Sequence, residues 1–496
     1  MIQSIFTFLK RNITQDSFLI NRIFVSLYIE YNKIDMYNHF IGKYVIAEKD
    51  NDYCELVKVL SFLKSQHIED ITLEDMINLF EFVISPSDRI VTGAIYTPKN
   101  IRDYILGRCL DTFPDLCDVR VADIACGCGG FLMDAAKTIH HKTNKSYYDI
   151  FRQNIYGIDI QSYSIERCTI LLNLLAVSDN EVVDFDFNLL CADTLDFKSE
   201  IWDTYYSNFD VIVGNPPYVC GRNMYEDTKV KTKRYKVCDS GSTDLYIPFF
   251  QIAFEMLKDN GMLGYITMNS FLKSLNARKL RRFFMDSHYD ISIIDFRGHQ
   301  VFKGKSTYTC LFFMEKKNSD VLHYCYNGNA KLNSQLQFTD ILYSSLDADK
   351  GWNLNENGLA NKIESVGIPL FKYCHTRHGI ATLSNKTYIF SPIKEDAVFY
   401  YLEKDNVIYP IEKTVCKNIV NSNKLNSDTS LEDILRKVIF PYHIDAKGKA
   451  ILFEEDYFRN EFPCAYSYLE SQRTVLKDRD KGKTQKYPAW YAYGRT

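Results

Sequence analysis

The residues of this chain that could perform chemistry include one short stretch, DVIVGNPPYVC, at positions 210–220. Its apolar run predicts a buried strand that ends at Asn215, because the two prolines that follow cannot donate hydrogen bonds to a sheet. The Asn215 side-chain oxygen and the Pro216 carbonyl can each accept one N–H of an exocyclic amine, and Tyr218 can stack on its ring. These acceptors favour a pyramidal nitrogen that could attack an electrophilic methyl group. A plain strand followed by a Pro-Pro turn is the alternative.

Three carboxylates stand at the predicted ends of the preceding strands. Asp123 opens the string DIACGCGG, whereas Asp159 ends GID and Asp193 ends CAD. Ligands of α/β sheets bind beyond the carboxyl ends of the strands. Asp159 is therefore placed to accept hydrogen bonds from two ribose hydroxyls, and Asp193 from an adenine amino group. Each acid alone is more often a turn or capping residue, but their recurrence at successive strand ends favours a nucleoside site.

The glycines that follow Asp123 predict a tight turn beside this site. Gly127, Gly129 and Gly130 allow the backbone to approach a ligand where a side chain would collide. An ordinary strand-to-helix turn explains them equally well. A dinucleotide fold is a further alternative, but the spacing is not Gly-x-Gly-x-x-Gly, so a pyrophosphate cradle is poorly supported.

The elements that would position these residues alternate between strand and helix. The predicted strands are 119–125, 154–160, 209–215, 261–268 and 291–296, and the predicted helices are 131–141, 245–260 and 277–287. Such alternation favours an α/β fold with a doubly wound, mostly parallel, Rossmann-like sheet over residues 91–317. Residues 1–90 are predicted to be a helical lid or scaffold without chemistry, with a capping box at Thr72 and Asp75. Residues 318–496 are predicted to form a separate mixed α+β recognition domain.

Composition narrows the class of protein. The chain has 496 residues, of which 46% are hydrophobic and 25% charged, and a net charge of -4. A disorder-dominated chain is unexpected at this composition, and only the local charge of a face bears on a nucleic-acid partner. No C-x-x-C pair, no 18-residue apolar stretch and no secretory leader is found in the sequence. We therefore expect a cytoplasmic protein with reduced thiols, without a metal site and without a membrane partner.

Residues 91–317 resemble the S-adenosylmethionine-dependent N6-adenine DNA methyltransferases of the gamma arrangement, the NPPY type of restriction-modification and phage-defence systems. GAIYTP at 93–98 is similar to their opening cofactor motif, and DIACGCGGFL is similar to their motif I. Cys128 stands where that motif usually has Ser or Thr. The segment 240–272 is also similar to the helix and strand that follow the catalytic motif in the family.

The resemblance implies S-adenosylmethionine as the cofactor. Thr97 and the turn at 125–131 would hold its methionine moiety with Asp123 nearby, Asp159 its ribose and Asp193 its adenine. The implied cofactor-binding residues are Tyr96, Thr97, Pro98, Asp123, Ala125, Gly127, Gly129, Phe131, Asp159, Ile160, Asp193 and Thr194. The implied catalytic residues are Asn215, Pro216, Pro217 and Tyr218. The implied reaction is methylation of N6 of an adenine flipped out of double-stranded DNA.

Basic residues close after the catalytic string predict the DNA contact. KVKTKRYK, at 229–236, is expected to be a basic loop that contacts phosphates, although a charge run is usually a solvated face. Phe302 resembles the family's second base-stacking aromatic, or is an ordinary buried one. The predicted DNA-binding residues are Lys229, Lys231, Lys233, Arg234, Lys236 and Phe302. A second basic cluster at 273–282 and an aromatic, basic stretch at 476–496 are further candidates, and the aromatics of that stretch are equally compatible with a core.

Several alternatives stay open. Cytosine N4 could replace adenine N6 as the target, and an RNA or protein-glutamine methyltransferase could use the same catalytic string. A modification subunit of a multi-subunit restriction or phage-defence complex, or a separate endonuclease partner, is also compatible with the sequence. Pro463-Cys464 resembles the pair of cytosine C5 methyltransferases but lies outside the α/β pattern. Intrinsic cleavage is not expected, and the resemblance suggests that the recognition domain is truncated or split at residue 496.

Overall fold

The computed structural model describes most of the chain. The described residues are 2–12, 16–82, 96–197, 208–302, 307–328, 331–332, 336–354, 366, 368, 372–374, 379–420, 430–446, 448–479 and 487–495. They belong to two compact units, residues 1–357 and 358–496. Within the described part of the chain, no helix is long and apolar enough to cross a membrane.

The first unit begins with helices that precede its sheet. They are α1 (Ile2–Asn12), α2 (Ser17–Tyr31), α3 (His39–Gly42), α4 (Tyr53–Ser65) and α5 (Leu73–Phe82). The capping box predicted for α5 is present, because the Thr72 backbone N–H donates to the Asp75 carboxylate (3.0 Å) and the Asp75 N–H donates to the Thr72 hydroxyl (3.1 Å). Met76 and Leu79 bury the apolar face of α5. Residues 83–95, including the start of the GAIYTP motif, lie outside the described residues.

A nine-stranded sheet forms the centre of this unit, in the order β3-β2-β1-β4-β5-β7-β6-β8-β9. Its strands are β1 (Val121–Asp123), β2 (Ile155–Asp159), β3 (Asn188–Cys191), β4 (Phe209–Gly214), β5 (Leu257–Met268), β6 (Tyr289–Asp295), β7 (Thr309–Asn318), β8 (Val321–Tyr326) and β9 (Thr339–Leu342). Strands β1 to β5 pair in parallel, whereas β7 runs antiparallel between β5 and β6. The predicted mostly parallel α/β sheet is confirmed.

Alternating strand residues explain why helices cover both faces of the sheet. Val211 and Val213 of β4 belong to one core cluster, whereas Ile212 between them belongs to another. The helices of this region are α6 (Lys99–Leu110), α7 (Gly130–Thr143), α8 (Tyr147–Gln153), α9 (Ser162–Ser178), α10 (Glu226–Thr232), α11 (Tyr246–Met256) and α12 (Arg278–Ser287). The first cluster includes residues of α6, α7 and α9, and the second includes residues of α11 and α12.

Some predicted boundaries differ from the structure. The helix predicted over 245–260 ends at Met256, because Leu257 already pairs with Phe209 of β4. The predicted domain boundary near residue 317 also differs, since β8 pairs with β6 and β9 pairs with β8. These pairings extend the main sheet to Leu342, and the first compact unit ends at Asn357.

The second unit is a mixture of short helices and small antiparallel sheets. Its helices are α13 (Asn385–Tyr388), α14 (Leu431–Ile434), α15 (Glu455–Glu461), α16 (Pro463–Ser471) and α17 (Arg473–Asp478). Its strands are β10 (Ile389–Phe390), β11 (Lys394–Glu395), β12 (Phe399–Lys404), β13 (Val407–Glu412), β14 (Cys416–Val420), β15 (Leu435–Ile439), β16 (Tyr442–Ile444) and β17 (Ala450–Leu452). Tyr491 and Tyr493 are buried in its core. For these two aromatics of the C-terminal stretch, the core alternative therefore holds.

Candidate functional site

A cavity of about 270 Å³ lies where the parallel strands of the first unit end. Its walls come from the turns that follow β1, β2, β3 and β4, which meet at one edge because the strands are parallel and adjacent. The predicted site residues in its lining are Tyr96, Thr97, Asp123, Ala125, Gly127, Phe131, Asp159, Ile160, Asp193, Thr194, Asn215 and Pro217. Pro98, Pro216 and Tyr218 adjoin these residues in sequence, and Gly129 lies between Gly127 and Phe131, but all four are outside that lining.

Two glycines of the turn after β1 have different tasks. Gly127 has a φ of +54° and donates its N–H to the Asp159 carboxylate at 3.0 Å, which ties this turn to the end of β2. Gly129 has a φ of +89°, and a Cβ on it would lie 2.3 Å from the Cys168 sulfur. The turn therefore requires Gly129 for close packing against α9.

The Asp159 carboxylate is held by backbone amides at the end of β2. It accepts hydrogen bonds from the N–H of Gly127 (3.0 Å) and of Gln161 (2.8 Å). Burial raises the pKa of Asp159 above its ordinary value, although these hydrogen bonds oppose the shift. The bonds fix the carboxylate at the mouth of the turn that Gly127 forms.

Asp123 is the most buried acid of the cavity wall, with 3% of its surface exposed. It accepts a hydrogen bond from the Ala125 N–H (3.0 Å), and its carboxylate is packed against Gly214, on which a Cβ would lie only 2.7 Å from Asp123 Oδ1. Burial, with a contribution from nearby Asp159, raises the pKa of Asp123 to about 7. A positively charged ligand would favour its ionised form.

Asp193 lines the cavity but already has two partners. One oxygen accepts from the Leu195 N–H (3.0 Å), and the other lies 2.7 Å from the Lys231 Nζ. Lys231 also pairs with Asp196 at 2.7 Å, and Arg234 pairs with Asp196 at 3.0 Å. These ion pairs join α10 to the end of β3.

The basic stretch at 229–236, which was predicted to be a loop, is partly helical. Residues 226–232 form α10, whose Lys229 also pairs with Glu226 at 3.3 Å. Lys231 is engaged by carboxylates of the same unit, and so is Arg234, whereas Lys233 and Lys236 are exposed. In the second predicted cluster, Arg281 is fully buried and donates to main-chain carbonyls, so it serves the fold.

Asn215 lies directly after β4, and its amide is tied to the turn before α6. Its Nδ2 donates to the Thr97 hydroxyl at 3.1 Å. This hydrogen bond fixes the plane of the amide and so the direction of its Oδ1 acceptor. Residues 118 positions apart in sequence thus meet at the cavity.

Tyr218, in the string that follows β4, forms an aromatic pair with Phe302. The Tyr218 hydroxyl donates to the Ile266 carbonyl (3.1 Å), and the two rings are edge to face with centroids 6.5 Å apart. Phe302 is 4% exposed, whereas Tyr218 is half-buried. In this structure Phe302 is thus a packed side chain, and its stacking role stays a prediction.

Several lining residues were not predicted. Ile77 and Glu81 of α5 contribute to the cavity wall, and the Cys128 sulfur lies 3.3 Å from Glu81 Oε1. The N-terminal segment is therefore part of the site and not only a scaffold. Helical periodicity identifies α5 but does not show what this helix packs against. The one related signal in the sequence is Cys128, which replaces the usual Ser or Thr of motif I and contacts Glu81 of α5. Arg102, Met224, Tyr225 and Thr228 were missed in the same way.

The surroundings of Cys464, in the Pro463-Cys464 pair, do not favour a reactive thiolate. The Cys464 N–H donates to Glu412 at 2.8 Å at the start of α16. Burial raises the pKa of the Cys464 thiol, and Glu412 adds to this shift. These effects oppose the thiolate that a cysteine nucleophile requires.

A family model supports the interpretation of this site. The model of the Eco57I restriction-modification methylase matches residues 153–302, which contain Asp159, Asp193 and Asn215. Over this range the chain is similar to the restriction-modification methylases. Thr97 and Asp123 precede the matched range, so the structure joins residues inside and outside it in one cavity.

Individual methylases of this kind are similar over most of the chain. The type II restriction enzyme and methyltransferase RM.Eco57I of Escherichia coli is 29% identical over 475 residues, which is 82% of this chain and 47% of that enzyme. The type II methyltransferase M.BanIII of Aneurinibacillus aneurinilyticus is 23% identical over 80% of this chain and 73% of its own length. The chain thus spans about half the length of RM.Eco57I.

A solved structure shares the fold of this chain. The type IIL restriction-modification enzyme MmeI, solved in complex with DNA, has a TM-score of 0.57 and 13% identity. The match covers 96% of this chain and 69% of MmeI. At this identity the likeness shows the fold alone.

The raised pKa of Asp123 predicts a pH dependence of stability. Below about pH 4 the carboxyl is protonated in both the folded and the unfolded chain, so it has no pH-dependent effect. Between about pH 4 and pH 7 only the unfolded chain releases the proton, so the free energy of unfolding falls, by on the order of 4 kcal/mol in total.

We expect Asp123→Asn to remove this loss, since Asn retains an acceptor for the Ala125 N–H. Urea denaturation of the ligand-free protein from pH 4 to pH 8 measures it: the stability of the variant relative to wild type should rise with pH. Asp259→Asn is the control, because that side chain is 92% exposed. A constant difference between Asp123→Asn and wild type would contradict the assignment.

Proposed function

We propose that this chain transfers a methyl group from S-adenosylmethionine to N6 of an adenine flipped out of double-stranded DNA. One observation carries the proposal: the amide of Asn215, oriented by Thr97, lines the same cavity as Asp159 and Asp193. Asn215 could accept a hydrogen bond from an amine, and Asp159 and Asp193 could bind the nucleoside part of a cofactor. Their presence in one cavity suits the transfer of a methyl group from a nucleoside cofactor to an amine.

The charge of the cavity supports a cationic cofactor. Its lining carries the four carboxylates of Glu81, Asp123, Asp159 and Asp193. The cationic side chain in the lining, Arg102, is itself paired with Glu74 and Asp134. Such a site repels a pyrophosphate and favours a ligand with positive groups. S-adenosylmethionine, with its sulfonium and α-ammonium groups, fits this donor set better than a dinucleotide does.

The residues that would hold this cofactor follow the walls of the cavity. We assign the methionine moiety to Thr97 and the turn at 125–131, with Asp123 nearby. Asp159 would accept hydrogen bonds from the ribose hydroxyls and Asp193 from the adenine amine. The carboxylate of Asp193 can accept this additional bond while it remains paired with Lys231, since each carboxylate oxygen has two lone pairs.

The chain would activate the target amine by hydrogen bonding. S-adenosylmethionine, when bound, supplies a methyl group on a positively charged sulfur that a nucleophile displaces. The adenine amine is a poor nucleophile because its lone pair is delocalised into the ring. Asn215 Oδ1 and the Pro216 carbonyl would each accept one N–H and so favour a pyramidal nitrogen. Tyr218, anchored through its hydroxyl to Ile266, would stack on the flipped base.

Replacement of Asn215 should slow methyl transfer without weakening cofactor binding. We expect Asn215→Ala to lower the single-turnover rate of DNA methylation by about 10²- to 10³-fold, because a hydrogen bond used in the transition state is lost. Calorimetry should find cofactor affinity within about threefold of wild type, since Asp159 and Asp193 are retained. Asn223→Ala, an exposed position in the same segment, is the matched control.

The measurement uses tritiated S-adenosylmethionine with duplex DNA, RNA and protein as separate acceptors, followed by mass spectrometry of the modified base. Product on N6 of adenine in DNA supports the proposal. N4-methylcytosine, methyl-RNA or methyl-protein would point to one of the alternatives. Undiminished transfer by Asn215→Ala would refute the catalytic role.

The second unit offers a basic groove of about 990 Å³ that we assign to the DNA backbone. Its lining includes Lys386, Lys404, Lys417 and Arg436, and one carboxylate, Asp433. Lys417 and Arg436 project from paired strands β14 and β15 onto the same side of that sheet, because Lys417 is opposite Val438 and Ile419 is opposite Arg436. None of these four cations is in an ion pair with another described residue, in contrast to Lys231.

Removal of two of these cations should weaken DNA binding in a salt-dependent way. We expect the double variant Lys417→Ala with Arg436→Ala to reduce the slope of log affinity against log salt by about two, since each phosphate contact contributes about 0.9. Fluorescence anisotropy of labelled duplex DNA at several salt concentrations measures the slope. Lys58→Ala with Lys64→Ala on α4 removes the same charge and should leave the slope unchanged; equal slopes for both double variants would contradict the assignment.

A further inference from the structure

An arginine is buried next to the candidate site. Arg102, in the first turn of α6, is 1% exposed. Its Nη2 donates to Glu74 Oε2 at 2.6 Å and its Nε donates to Asp134 Oδ2 at 2.8 Å. Its Nη1 donates to the Thr97 carbonyl at 2.7 Å. The guanidinium therefore joins α5, α6 and α7 to the turn that carries Thr97.

The charge balance at Arg102 explains how a guanidinium can be buried there. Burial alone would lower the pKa of Arg102, but the carboxylates of Asp134 and Glu74 raise it above its ordinary value. Removing either partner would leave a buried charge without full compensation. Lysine could not replace Arg102, since a single ammonium on a flexible stem lacks the planar fork that reaches three acceptors.

Thr97 links Arg102 to Asn215 through two hydrogen bonds. Its carbonyl accepts from Arg102, and its hydroxyl accepts from Asn215 Nδ2 at 3.1 Å. The neighbouring residue, Tyr96, donates its hydroxyl to Glu74, the acid that also pairs with Arg102. The Tyr96–Thr97 turn, which has no regular secondary structure, is thus held at two adjacent residues by the same ion pair.

We propose that Arg102 and Glu74 are positioning residues for methyl transfer, which act through Thr97 on the orientation of the Asn215 amide. The inference rests on the proposed function of Asn215. It gives the N-terminal segment a role in the reaction, because Glu74 lies on α5. A displaced amide would still contact the target amine but would accept its N–H in a poorer direction, and errors of about 1 Å in such positions cost about 10²-fold in rate.

A double-mutant cycle between Arg102 and Thr97 tests this order of action. Thr97→Val removes the hydroxyl that accepts from Asn215, while Arg102→Lys and Glu74→Gln disturb the hold on Thr97. Each single variant should lower the single-turnover methylation rate by about ten- to hundredfold. If Arg102 acts through Thr97, then Arg102→Lys in the Thr97→Val background should lower the rate by less than about threefold more.

The control is Arg22→Lys in the N-terminal segment. Arg22 also bridges two carboxylates, Asp50 and Asp52, but it is not in the cavity lining. Arg22→Lys should lower the thermal unfolding temperature, as Arg102→Lys does, but should leave the methylation rate unchanged. If Arg102→Lys does not fold, Glu74→Gln, which keeps the shape and acceptor oxygen of the side chain, replaces it in the cycle.

A second readout uses the protein without cofactor or DNA. Amide hydrogen exchange should become faster around residues 96–101 and 215–221 in both Arg102→Lys and Glu74→Gln, but not in Arg22→Lys. Effects of Arg102→Lys and Thr97→Val that multiply, or unchanged exchange around Asn215, would overturn the inference. A wild-type chain that methylates no DNA would instead refute the proposed function, and the exchange measurement would still decide whether Arg102 orders the Asn215 segment.

Discussion

The hydrogen bond between Asn215 and Thr97 is the interaction on which the candidate site depends. It joins the end of β4 to the turn before α6, and each of these segments is fixed by a different part of the first unit. The position of Asn215 follows from the parallel pairing of β4 with β1 and β5. The position of Thr97 follows from Arg102 and, through Glu74, from α5. The orientation of the Asn215 amide therefore depends on both the sheet and the N-terminal helices.

The acidity of the cavity is the second constraint, and it separates this cavity from the phosphate-binding sites of α/β folds. A phosphate-binding fold brings backbone amides and helix N-termini to its ligand. Here the Gly127 amide is bonded to Asp159, and buried Asp123 has a raised pKa. The same turn that could have cradled a pyrophosphate thus holds carboxylates in place. The arrangement favours a ligand whose positive charge compensates the cost of burying Asp123 in its ionised form.

The sequence predicted the strand ends better than it predicted what surrounds them. Asp159, Asp193 and Asn215 follow apolar runs, so strand pattern and the topology of parallel sheets suffice to bring them to one edge. The contribution of α5 and the ion pairs of Lys231 with Asp193 and Asp196 could not be predicted, because they join segments far apart in sequence and the local pattern of a segment does not identify its partner. The end of the main sheet was missed for a related reason: β8 and β9 lie beyond the repeating strand-helix units and are defined only by their partners.

We propose that Asn215 and the acids Asp159 and Asp193 line one cofactor cavity. A crystal structure of the chain with S-adenosylhomocysteine would test this arrangement. We expect the ribose hydroxyls to contact Asp159, the adenine to lie beside Asp193, and the sulfur to lie on the side of the cavity formed by Asn215. A ligand bound outside this cavity, or one whose sulfur lies away from Asn215, would refute the proposed cofactor site.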